Sequence, residues 1–103
     1  MRMMLKLNHP VEAGNEGIRT GKVAKVLEAL MAELKPEAAY FFAEKGVRTS
    51  LFVFDMQDSS QVAEVAERCF FGLNASVELT PVMTADDLRK GLADVETIIK
   101  NFG

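Results

Sequence analysis

Residues 3–8 alternate, with Met3, Leu5 and Leu7 on one side and Met4, Lys6 and Asn8 on the other. That period of two predicts a short strand, and Pro10 ends it. Val11 to Gly21 holds three glycines and is expected to be a loop leading into a frayed or kinked first helical turn. From there Val23, Val26, Leu27, Leu30 and Leu34 recur at helical spacing, and Lys35 before Pro36 closes that helix. "EAAYFFAEKGVRTSLFVFD", residues 37–55, predicts a hairpin turning at "EKGV", where Gly46 supplies a positive φ.

A second helix opens with Asp58 and Gln61 in capping-box spacing, carries Val62, Val65, Ala66 and Cys69 on one face, and ends at Gly72. "ASVELTPVM" alternates as a strand in which Val77 and Leu79 oppose Ser76, Glu78 and Thr80, and Pro81 marks it as an edge strand or its end. A terminal helix starts at a Thr84 cap and places Leu88, Leu92, Val95, Ile99 and Phe102 along one stripe. The order is β-α-β-β-α-β plus a helix, the split βαβ pattern of a ferredoxin-like α+β domain spanning residues 1–103. Such a domain lays both principal helices on one face of an antiparallel sheet and leaves the other face open.

The hairpin turn decides which side chains reach that open face. A three-residue loop ending in Gly46 puts Tyr40, Phe42, Arg48, Ser50, Phe52 and Phe54 on one side and Ala39, Phe41, Ala43, Leu51 and Val53 on the other. A two-residue Lys45-Gly46 turn swaps one strand's set. The first arrangement is expected, because it separates a small aliphatic face suited to helices from an aromatic face that also takes Lys6 and Glu78. Four rings together bury on the order of 600 to 800 Å², more than a soluble monomer exposes as one patch. A second copy of the sheet is the expected cover, giving a homodimer with a barrel-like interior.

Composition narrows the partners. The 103 residues carry a formal net charge of −3, with 12 Lys and Arg against 15 Asp and Glu mixed along the chain. No concentrated positive surface is present for nucleic acid phosphates. The single cysteine, Cys69, forms no internal disulfide and has no metal-ligand spacing. No run approaches the ~18 apolar residues of a membrane span, and "MRMMLKLNHP" breaks too early for a signal peptide. A cytoplasmic location is expected, with no membrane, nucleic acid, metal or cofactor.

The order of elements, with "PEAAYFFAEKGVRTSLFVFDMQDSSQVAEVAE" and "ELTPVMTADDLRKGL", resembles small bacterial proteins of unknown function in the dimeric α/β-barrel superfamily. Relatives of that superfamily include muconolactone isomerases and antibiotic-biosynthesis monooxygenases. The resemblance implies a dimeric α/β barrel and, across isomerases, cofactor-free oxygenases and haem-degrading enzymes, no single activity.

No catalytic motif is specific, so candidate residues are weighed singly. His9, the only histidine, is placed just after the first strand, either as a solvated turn residue before proline or as an acid, base or haem ligand at a pocket mouth. Lys6 and Glu78 are read as an ion pair on the open face, structural or proton-handling. Tyr40 and Arg48 suit a carboxylate or enolate, unless Arg48 pairs only with Glu44. Phe42, Phe52 and Phe54 serve as dimer core or as a ligand cage. Cys69 reads as inert packing, and the aspartates of "ADDLRK" complement a helix dipole rather than a metal. The expected function is binding or transforming a small aromatic or carbonyl compound inside the barrel; the alternative is a structural dimer whose aromatic interior is filled.

Overall fold

The first strand, β1 (Arg2–His9), keeps its alternation throughout: Met3, Leu5, Leu7 and His9 are buried, while Arg2, Met4, Lys6 and Asn8 are half-exposed. A computed structural model describes every residue, Met1–Gly103. After β1 come α1 (Val11–Thr20), α2 (Lys22–Leu34), β2 (Ala38–Glu44), β3 (Val47–Asp55), α3 (Gln61–Leu73), β4 (Ser76–Pro81), α4 (Ala85–Gly91) and α5 (Val95–Phe102). The four strands make one antiparallel sheet in the order β2-β3-β1-β4. β4 is an edge strand ending at Pro81, as its sequence predicts.

One face of the sheet carries the core. Met3, Leu5, Leu7, Phe52 and Phe54 pack with Leu30 of α2 and with Val65, Cys69 and Leu73 of α3, and Val23, Val26 and Leu27 close the edge. Complete burial of a Leu or Phe side chain contributes about 1.5–3 kcal/mol each. Both expected amphipathic helices are therefore present, and they lie on the same side. The α3 helix runs through Gly72, which packs against Val26, and ends at Asn74 with φ 51. Its start makes half of the expected capping box: the Gln61 side chain accepts from the Asp58 backbone N–H at 3.3 Å, while no side chain caps its first turn.

Three expectations are corrected. The glycine-rich Val11–Gly21 stretch is not a loop but a ten-residue helix, α1, which Pro10 precedes and Gly21 ends at φ 81. Gly14 and Gly17 are buried within it, so these glycines allow close packing instead of breaking the helix. The terminal helix is interrupted at Leu92–Asp94, giving α4 with its Thr84–Asp87 capping box and then α5. The hairpin turn is the two-residue form: Glu44 pairs with Val47 across the turn, and Lys45 and Gly46 both have positive φ, 51 and 81. That is the left-handed pair a tight, strongly twisted hairpin demands.

The register follows from that turn. Tyr40 opposes Leu51, Phe42 opposes Thr49, and Ala43 opposes Arg48. Tyr40 and Phe42 thus share the open face with Thr49, Leu51 and Val53, whereas Arg48, Ser50, Phe52 and Phe54 lie on the helix-covered face with Phe41. The expected sorting is overturned, because β3 is shifted by one position relative to β2. Of the four rings expected on the open face only two are there, and Phe52 and Phe54 are core, 0% and 1% exposed.

The C-terminal segment stands apart. Every residue from Ala85 to Gly103 is exposed. The molecule extends 58 × 29 × 20 Å with a radius of gyration of 17.1 Å, against about 13 Å for a compact chain of this length. No helix is long and apolar enough to cross a membrane.

Candidate functional site

Where α1 crosses the hairpin end of the covered face, the sheet and helices leave a cavity of about 280 Å³. Its floor comes from β1 and β3: His9 and Arg48 are direct cross-strand partners, and Ser50 is the next residue of β3 on the same face. Ile18 of α1, Val23 and Leu27 of α2, and Phe41 of β2 form its apolar walls. Gly14 explains how α1 comes so near: a Cβ there would sit 2.8 Å from the Arg48 guanidinium.

His9 is the last residue of β1 and 5% exposed, so the solvated turn reading is corrected. Its Nε2 lies 2.9 Å from Ser50 Oγ, and either atom is the donor depending on the tautomer. No side-chain N or O shut off from solvent lacks a partner, and Nδ1 makes no hydrogen bond in the chain, so Nδ1 is reachable by solvent. Burial first, and then the positive charge of Arg48, push the His9 pKa below its ordinary 6.5. The imidazole is therefore neutral at pH 7, able to take a proton when a negative charge arrives beside it.

Arg48 has no carboxylate partner. Its Nη1 donates only to the Val11 carbonyl, at 3.4 Å, and the side chain is otherwise exposed. The alternative pairing of Arg48 with Glu44 does not form, because Glu44 belongs to the other face and binds Lys6 at 2.7 Å. A planar guanidinium with free N–H groups at the mouth of an apolar cavity is suited to a carboxylate.

The remaining expected residues separate. Lys6 and Glu78 face each other in the register, but the ammonium of Lys6 is drawn to Glu44, whose hydrogen bond holds its pKa up. Asn8 joins that group by donating to Thr49 Oγ1 at 3.0 Å and to Glu44 at 3.4 Å. Tyr40 stands on the open face, 61% exposed. Phe42 projects to that face too, yet as part of the edge strand it also borders the cavity beside His9 and Arg48. The structure thus brings together His9, Arg48 and Phe42, and leaves Lys6, Tyr40 and Glu78 on the opposite side with Phe52 and Phe54 in the core. Ser50 and Gly14 join the site without a motif of their own in the sequence. Gly14 and Gly17, three residues apart, fall on one face of α1, a helical spacing that points to a small-residue contact.

Cys69 is buried, and desolvation pushes its thiol up to about 11, so it is unreactive packing. No group of three or more His, Cys, Asp or Glu side chains is placed to hold a metal ion. No protein-family model matches the chain, and no curated protein matches it.

Proposed function

We propose that this protein binds a small carboxylate with an apolar or aromatic body in the cavity between α1 and the hairpin end of the sheet. The reading keeps the ligand class expected from the sequence and moves its place to the covered face. The observation that carries it is Arg48, an unpaired guanidinium beside a buried neutral His9–Ser50 pair in an apolar cavity of about 280 Å³. The carboxylate meets Arg48, the apolar body lies against Ile18, Leu27 and Phe41, and His9 contributes a proton to the bound anion's surroundings. Because a bound anion favours imidazolium, affinity rises as pH falls from 7 toward the depressed pKa of His9.

Titration calorimetry with benzoate and with neutral benzamide tests this. Benzoate is expected to bind and benzamide not, Arg48→Ala is expected to weaken benzoate at least tenfold, and His9→Gln to remove the pH dependence. Equal binding of both compounds, or an unchanged affinity in Arg48→Ala, rejects the site.

A second reading has its own support. The two helical crossovers, β1 to β2 and β3 to β4, each straddle one intervening strand, which supports the ferredoxin-like split βαβ arrangement. The free face then carries Met4, Leu51, Val53, Tyr40 and Phe42 with no element of the chain over them. We propose a homodimer that covers this face; light scattering giving the mass of one chain at micromolar concentration removes it.

A further inference from the structure

The open face is not uniformly apolar. Its β2–β3 half presents Tyr40, Phe42, Leu51 and Val53 around Thr49, with Glu44 at the hairpin end, while its β1–β4 half presents Arg2, Lys6, Asn8, Ser76, Glu78 and Thr80. Only Met4 is apolar in the second half. The apolar strip is two strands wide, about 10 Å at ~4.8 Å per strand, and some seven residues or ~23 Å long. An α-helix is 10–12 Å across with its side chains.

The chain also holds an uncovered helical segment. Leu88, Leu92, Val95, Ile98, Ile99 and Phe102 are 37% to 87% exposed, and no residue of α4 or α5 is buried. The segment meets the body at the Arg2 end of the sheet, where Val82 N–H donates to the Arg2 carbonyl at 3.1 Å and Arg2 stands 3.8 Å from Asp87. Beyond that point neither α4 nor α5 packs substantially on a strand or helix of the body.

From this match of dimensions and chemistry we propose that residues 85–102 of one copy lie along the β2–β3 half of the open face of a second copy, reciprocally. The proposal rests on self-association and names the segment that produces it. Area separates it from a sheet-to-sheet dimer. Pressing the two apolar strips together buries only about 2 × 230 Å², within the range of crystal contacts and about half of what a specific interface needs. An arm ~10 Å wide laid over the ~23 Å strip buries about 460 Å² counting both surfaces, so two arms bury about 920 Å², twice the strip-to-strip figure and close to the ~1,000 Å² a specific interface needs. Exchange also buries both halves of the apolar surface that the single chain leaves in water, with Lys6, Glu44 and Glu78 remaining at the rim.

The test uses the full chain. Sedimentation at micromolar concentration is expected to give a dimer, with Ile99→Glu and Tyr40→Glu each weakening it at least tenfold while circular dichroism stays unchanged. Chains carrying Tyr40→Cys mixed with chains carrying Ile99→Cys should form an interchain disulfide on mild oxidation, since Cys69 is buried and does not compete. A monomeric full chain overturns both self-association and the arm exchange. A dimer that Ile99→Glu leaves intact, or one that links Tyr40→Cys to Tyr40→Cys, overturns the exchange alone and favours sheet against sheet. An Ile99→Cys, Tyr40→Cys double variant that closes within one chain shows the arm folding back on its own sheet, which also overturns it.

Discussion

β1 contributes to two surfaces from the same eight residues, and they have opposite fates. On one side Met3, Leu5 and Leu7 are sealed under α2 and α3; on the other Met4, Lys6 and Asn8 stay half-exposed. The first side is apolar from edge to edge along its middle, and its only polar cluster, His9, Ser50 and Arg48, gathers at the end roofed by α1. The second side is split lengthwise into an apolar and a polar half. Packing inside the chain accounts for the apolar part of the first distribution. The second has an apolar strip that no element of the chain covers, which is the strip the proposed arm of a second copy would occupy.

Substitutions in neighbouring residues of β3 measure this contrast most strongly. Phe52→Ala empties a completely buried position and is expected to destabilise by about 3–5 kcal/mol in denaturant titration. Leu51→Ala, one residue away on the open face, should cost about 1 kcal/mol in the isolated chain. A larger loss that grows with protein concentration would instead report a covered face. The turn that holds the faces in register comes next. At φ 81, Gly46→Ala is expected to cost about 1–2 kcal/mol by forcing a Cβ into the left-handed region. Lys45→Asn should raise the melting temperature, because asparagine tolerates the φ of 51 found there better than lysine does.

The smallest change expected is with pH. His9 has its pKa lowered by folding, so the unfolded chain binds its proton first. Its contribution is whole above about 6.5 and falls away as pH drops below that value. Asp55, Asp58 and Asp87 are lowered as well, by hydrogen bonds from the N-terminus, Ser60 and Thr84 respectively. Their contribution is present above their ordinary 3.8 and is lost in more acidic solution, leaving the His9 window separate. Thermal melts between pH 7 and 5 should therefore show a decline that His9→Gln flattens. An identical decline in that variant would place the effect elsewhere.

Much of this architecture is legible in the sequence because period-two and helical spacings act locally. The odd residues of β1, the stripes of α2 and α3, the Thr84 cap and the edge position of β4 all follow from neighbours a few places apart. Register is different. It depended on whether Lys45, a residue with a Cβ, accepts a left-handed conformation, and aromatic-against-aliphatic sorting gave the opposite answer. That one-position difference moved Arg48 from the side of Tyr40 to the side of His9, and with it the whole candidate site. The α1 helix was hidden because glycine disfavours helix in isolation, whereas its roof position rewards the absence of side chains at Gly14 and Gly17. His9 looked solvated because Pro10 follows it, yet the strand continues through it and α1 closes over it.

The central place of β1 also sets an order of assembly. The hairpin of β2 and β3 closes over two residues, but β1 must find β3 across α1 and α2, and its other edge pairs with β4, Met3 meeting Pro81. As the chain leaves the ribosome, β1 thus waits with one edge unpaired until β4 has been made. Contacts so distant in sequence carry a large loop-closure cost, so refolding from denaturant should be slow for a chain of this size. Until β4 arrives, the strand edge of Met3 to Asn8 is the part of the nascent chain most open to the wrong neighbour.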